Sequence, residues 1–199
     1  MSELAQHSSE SNEHFTPPEI VEAARRVMGG IDLDPFSCAL ANEVIKADWF
    51  MSEDGFGADW RGLSGPARVF CNPPGGKLSR KDLSVVKAGP GFSSAAVAWA
   101  KLMHEYEIGN VEQAIFIGFT LEILRTSQGF GPDVPPCSEF SLCFPRDRLR
   151  FWNEHTEPGT GQPTHPNVIV YVPPRDGIAA DRACSKFLEY FSQFGAVRL

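Results

Sequence analysis

Ala114-Ile115-Phe116-Ile117-Gly118-Phe119 offers no polar residue to turn toward water. A strand of that kind is covered on both faces, as strands of parallel sheets are, whereas a strand with one wet face alternates. Further short strands are predicted at Ile31-Asp32-Leu33-Asp34, Arg68-Val69-Phe70-Cys71, Leu142-Cys143-Phe144 and Val168 to Val172, with an edge strand at Gly195 to Leu199. Helical periodicity lies between them. Ile20, Val21, Ala24 and Val27 share one face after Thr16-Pro17-Pro18-Glu19, which reads as a capping box with Pro17 at the first helical position. Other helices are expected over Ala39 to Lys46, Ser93 to Tyr106 (Ala96, Val97, Ala100 and Met103 on one side), Leu121 to Ser127, and Asp176 to Phe194 (Ala180, Ala183, Phe187 and Phe191 inward). The alternation predicts an α/β fold, a mixed, mostly parallel sheet with helices on both faces. One domain is expected over 14–199, preceded by a flexible polar tail, 1–13.

Length and composition limit the function classes. The 199 residues suffice for one such domain. No run approaches the roughly 20 apolar residues of a membrane helix, so no membrane association is expected. The first residues carry acids, not the basic start and apolar run of a secretory signal. The 5 cysteines are odd in number and form no C-x-x-C pair, which argues against a disulfide framework or a zinc knuckle and for a reducing, cytoplasmic setting. A net charge of −7 excludes a broad non-specific nucleic-acid surface, so any nucleic-acid site must be a local basic patch. His155 and His165 lack a third ligand at metal-binding spacing, and no metal is assigned. Neither a phosphate-binding glycine loop ending in Gly-Lys-Ser/Thr nor a nucleophile elbow is present.

Three segments carry chemistry-bearing residues. Val69-Phe70-Cys71 runs into Asn72-Pro73-Pro74-Gly75-Gly76, where two prolines stiffen the strand exit and remove two N–H donors. What remains is a set of carbonyl acceptors and the Asn72 amide. Such a set suits an –NH₂ group held by its two hydrogens, and equally a rigid strand-to-loop connection. Asp34 at a strand end suits a cationic or hydroxyl-bearing ligand, or starts an Asp-Pro turn. His14-Phe15-Thr16-Pro17 suits a helix cap. Basic residues gather at Lys77, Arg80, Lys81 and Lys87, and at Arg146, Arg148 and Arg150, which alternate along an expected strand. Both groups read either as phosphate contacts or as solvated surface.

In this order the segments resemble a known family. His14-Phe15-Thr16-Pro17-Pro18, Leu33-Asp34-Pro35-Phe36, Asp54-Gly55-Phe56 and Asn72-Pro73-Pro74 are similar to the phage-type DNA N6-adenine methyltransferases, which use S-adenosylmethionine and carry an (N/D)-P-P-aromatic motif. Phe144-Pro145-Arg146-Asp147-Arg148-Leu149-Arg150-Phe151 resembles the family's Gly-Arg-x-x-Phe strand, and Pro166 to Val170 its companion. The resemblance implies a Rossmann-like class I methyltransferase fold with a seven-stranded sheet. It implies methyl transfer to an adenine taken out of the DNA duplex. The Asn72 side-chain oxygen and the Pro73 carbonyl would grip the N6 amino group, with Pro74 completing the motif. Phe15, Thr16, Asp34, Pro35, Phe36 and Asp54 would line the cofactor. Lys77, Arg80, Lys81, Arg146, Arg148 and Arg150 would meet DNA.

Two positions depart from the family. Gly75 stands where an aromatic normally stacks on the base, which leaves Phe92 and Phe56 as candidate substitutes. Pro35-Phe36-Ser37-Cys38 replaces a glycine-rich turn. Two alternatives therefore accompany the adenine reading. One is methyl transfer to another amine or amide, in RNA or on a protein glutamine. The other is a weakened nucleic-acid-binding relative. No feature of the sequence sets an oligomeric state.

Overall fold

A computed structural model describes residues 14–76, 93–158, 160 and 165–199. The expectations for the tail 1–13 and for Lys77, Arg80, Lys81, Lys87 and Phe92 lie outside the described residues. Those described form α1 (Pro18–Met28), β1 (Leu33–Asp34), α2 (Ala39–Ile45), β2 (Trp49–Phe50), β3 (Ala67–Cys71), α3 (Ser94–Glu107), β4 (Val111–Gly118), α4 (Ile123–Thr126), β5 (Ser141–Pro145), β6 (Val168–Val172), α5 (Gly177–Phe191) and β7 (Gly195–Arg198). The fold is α/β. No helix among the described residues is long and apolar enough to cross a membrane.

The seven strands form one mixed sheet in the order β2-β1-β3-β4-β6-β5-β7. Pairing is parallel from β2 through β4 and antiparallel at β4–β6, β6–β5 and β5–β7. Hence β2, β1, β3, β4 and β5 point one way and β6 and β7 the other. Side chains alternate across the sheet. Phe70, Ile115, Ile117, Ile169 and Tyr171 meet Ile20, Val21, Ala24, Val27, Phe187 and Phe191 from α1 and α5. Val69, Cys71, Ala114, Phe116, Val168 and Val170 meet Ala96, Trp99, Leu102 and Met103 of α3. The unbroken apolar run of β4 thus feeds two cores, and that is why it carries no polar residue.

From β1 the chain leaves by way of α2, on the α1/α5 face, to β2. From β3 it leaves toward α3, on the other face, to β4. Two neighbouring strands whose connections depart to opposite faces leave a crevice at their carboxyl ends.

Two expectations are corrected. The first turn of α1 is not a capping box: Pro17 is the cap, Pro18 the first helical residue, and no side chain caps the helix. With two adjacent prolines there are fewer N–H groups to cap. Thr16 is instead drawn inward, 2% exposed, as Phe15 pairs with Trp152. Secondly, Arg146, Arg148 and Arg150 do not share a strand face. β5 ends at Pro145, where its pairing with Gly195 finishes, and 146–150 is bent and irregular. One strand, Trp49–Phe50, is not anticipated from the sequence, because two residues are too few to show periodicity.

Candidate functional site

A cleft of about 210 Å³ opens at the carboxyl ends of the parallel strands. Pro35, Phe36 and Ser37 follow β1, Met51 to Phe56 follow β2, Asn72 to Gly75 follow β3, and Phe119 follows β4. His14 and Phe15 enter from the start of the described chain. The three sequence motifs, distant in the chain, therefore meet in one place. Phe15, Pro35, Phe36, Asp54, Asn72, Pro73 and Pro74 line it, and Thr16 and Asp34 lie buried next to lining residues in the chain.

Asn72 sits at the exit of β3, half-buried. Its Nδ2 donates to the His14 carbonyl at 2.6 Å, which commits the amide nitrogen and leaves Oδ1 as an acceptor. Among the described residues the Pro73 carbonyl takes no hydrogen bond. Beyond it the loop is clamped to α3: Ser94 donates its hydroxyl to the Pro74 carbonyl at 2.5 Å and its backbone N–H to the Gly76 carbonyl at 3.0 Å. Two prolines and this clamp hold the acceptors still.

The turn after β1 is tied to the next strand, with the Met51 N–H on the Asp34 carbonyl and the Ser37 N–H on the Met51 carbonyl, both at 3.0 Å. Asp34 is 1% exposed and has no basic partner among the described residues. Burial pushes its carboxyl up to about 7, against the opposing pull of the Phe36 N–H (3.0 Å) and the Ser37 hydroxyl. Cys71, at the end of the adjacent strand, is fully buried, and burial with the nearby Asp34 charge raises its thiol further. Thr16 Oγ1 is buried without a hydrogen-bond partner among the described residues.

Gly55 explains why a glycine follows Asp54. A Cβ there would lie 2.0 Å from the Pro35 carbonyl oxygen and 2.8 Å from the Phe36 ring. The close backbone approach absent from the Pro35-Phe36-Ser37-Cys38 turn is thus made by Gly55, whose carbonyl accepts from the buried Trp60 indole at 2.8 Å. Asp54 itself adopts a left-handed φ of 56°, sparsely used by side-chain-bearing residues, at the exposed rim beside Glu53.

Sequence reasoning missed several lining residues. Glu53 and Ser52 went unnoticed because the β2 strand that delivers them is two residues long. Phe119 read as the end of an apolar strand; it is the first residue past β4 and half-buried at the cleft. Phe56 does line the cleft, but its ring packs on Phe36, centroids 4.6 Å apart. Arg146, Arg148 and Arg150 are exposed on the segment leaving β5, which points the same way as β4. Asn167 ties that segment to the cleft: its Oδ1 accepts the Leu149 N–H at 2.9 Å and its Nδ2 donates to the Phe119 carbonyl at 2.8 Å. Among the described residues no group of three or more His, Cys, Asp or Glu is placed to hold a metal ion.

Fold and cleft define an α/β protein with a crevice where the strand order of its sheet reverses. No protein-family model, no curated protein and no solved structure matches the chain.

Proposed function

We propose that the protein transfers a methyl group from S-adenosylmethionine to the N6 amino group of adenine in DNA, on a Rossmann-like class I methyltransferase fold. The observation that carries the reading is the Asn72 corner. Asn72 and Pro73, consecutive at the exit of a central strand, both line the cleft, with the Asn72 amide nitrogen committed to the His14 carbonyl and the loop beyond them clamped by Ser94. Accepting both hydrogens of an –NH₂ group turns its lone pair away from the acceptors. The chain's contribution is then orientation and preorganised electrostatics. No strong base is required, because positive charge leaves sulfur as the new bond forms. The proton lost from nitrogen passes to water.

The cleft suits the cofactor chemically. S-adenosylmethionine carries an ammonium and a sulfonium, and the cleft offers Glu53 and Asp54 at its rim with the Asp34 carboxyl buried beneath its floor. The buried Thr16 hydroxyl, without a hydrogen-bond partner among the described residues, is a further feature that accommodates a bound group. Bound there, the cofactor would supply an activated methyl carbon. Strand order supports the same assignment, since nucleotide ligands of open α/β sheets lie at such a switch point. Arg146, Arg148 and Arg150 are at hand for phosphates.

Labelled S-adenosylmethionine with purified protein and adenine-containing DNA tests the proposal. Wild type should label DNA at N6. Asn72→Ala should fall by about 100-fold or more, as when one preorganised hydrogen-bonding group is removed from an active site. Absence of transfer to any DNA, with wild type equal to Asn72→Ala, rejects it.

A further inference from the structure

Gly75 leaves the strand exit without a ring, yet rings stand directly beside it. His14 and Phe119 both line the cleft and are stacked, centroids 5.2 Å apart and planes within 23°. Phe151 and His165 meet Phe119 at 5.2 and 5.3 Å. The Phe119 carbonyl is held by Asn167. His14 is fixed by its backbone: its carbonyl accepts from Asn72, and the next residue exchanges N–H···O bonds with Trp152 at 2.7 and 3.0 Å. Phe119 is thus braced on several sides, while His14 remains exposed. Burial holds the His14 imidazole below its ordinary pKa, so it is neutral at pH 7. A braced pair of rings, one of them solvent-facing and bonded through its own carbonyl to the amine-gripping amide, is a stacking surface for a flat heterocycle.

We infer that the His14–Phe119 pair is the platform on which the acceptor ring stacks while Asn72 and Pro73 hold its amino group. The acceptor is accordingly a nucleobase, not a glutamine amide, whose slender aliphatic stem gains little from a flat aromatic face. This deepens the methyl-transfer reading and rests on it only for the identity of the reaction. Stacking itself is measurable without turnover.

The probe is a single-stranded oligodeoxynucleotide of alternating adenine and thymine, with 2-aminopurine at one adenine position, titrated by fluorescence. Wild type should bind it and alter its emission. His14→Ala and Phe119→Leu should each bind roughly 5- to 100-fold more weakly, the range that stacking of one base on one ring gives. Phe119→Tyr should restore binding. Thermal unfolding within a few degrees of wild type shows that the ringless variants fold. If His14→Ala or Phe119→Leu binds like wild type, or if wild type binds no oligonucleotide, the platform is wrong. Ring-dependent binding with no methyl transfer by wild type keeps the platform and rejects the methyltransferase. Methyl transfer undiminished in Phe119→Leu does the reverse, and preferred labelling of a glutamine peptide rejects both the platform and adenine as the acceptor.

Discussion

A carboxyl that burial raises from its ordinary 3.8 to about 7, with no cation beside it among the described residues, burdens the folded state once it ionises. The native protein binds this proton more tightly than the unfolded chain, so between roughly pH 4 and 7 the folded state holds more protons and stability falls as pH rises. Asp34 contributes most below its unfolded pKa, and that contribution is gone once the pH has passed about 7. Three units correspond to on the order of 4 kcal/mol at full ionisation. Asp34→Asn retains an acceptor for the Phe36 N–H and cannot ionise. Its melting temperature should match wild type near pH 4, exceed it increasingly up to about pH 7, and hold that difference above. A difference that stays flat across this range would show that Asp34 does not titrate where its burial places it. The same tension favours a cationic ligand: S-adenosylmethionine should raise the wild-type melting temperature more at pH 8 than at pH 5, and the Asn variant should lose that pH dependence.

Trp152 acts on the site through a whole segment. Its backbone bonds Phe15 in both directions, its ring meets Phe15 edge-on at 4.9 Å, and its indole N–H donates to the Thr16 carbonyl at 3.1 Å. These contacts place the 14–16 segment against the sheet and so deliver the His14 carbonyl to Asn72. Trp152→Ala should cost about 3–5 kcal/mol, as large-to-small changes at buried aromatics do. Asn72→Ala, which leaves that anchorage intact, should unfold near the wild-type temperature, and chemical denaturation of the two variants checks the contrast. The helices and most strands were legible because 3.6- and 2-residue periodicities survive in one sequence: α1, α3, α5, β3, β4 and β6 all stand within a few residues of expectation. β2 was not, because two residues carry no period. The Thr16–Glu19 cap misled because a local motif was read without the tertiary pull of Phe15 and Trp152. The Arg146 to Arg150 alternation misled because an alternating pattern is equally available to an irregular segment. Asn72 was legible from its prolines, whereas Phe119 and Glu53 gained their role from where β4 and β2 end, which only the sheet reveals.

At the scale of the molecule, the proposed reaction on DNA requires that a polyanion approach a protein of net charge −7. Long-range attraction works against that encounter, and salt screens the repulsion as readily as it screens any local attraction. Binding must therefore rely on short-range contacts at one edge of the sheet, where Arg146 and Arg150 stand exposed on the segment that Asn167 ties to Phe119. If both meet phosphates, each releases counterions. Affinity for single-stranded DNA then falls with salt by a slope of about −0.7 per contact, so removing two contacts should flatten a plot of log K against log salt by about 1.4. Arg146→Ala combined with Arg150→Ala should show that change, while S-adenosylmethionine affinity, which the proposal assigns to the carboxyl ends of β1 and β2, stays at the wild-type value. A slope identical to wild type would place the phosphate contacts elsewhere, whatever the variant does to affinity at one salt concentration. Lost cofactor affinity would mean that the arginines support the cleft and do not meet its polymer.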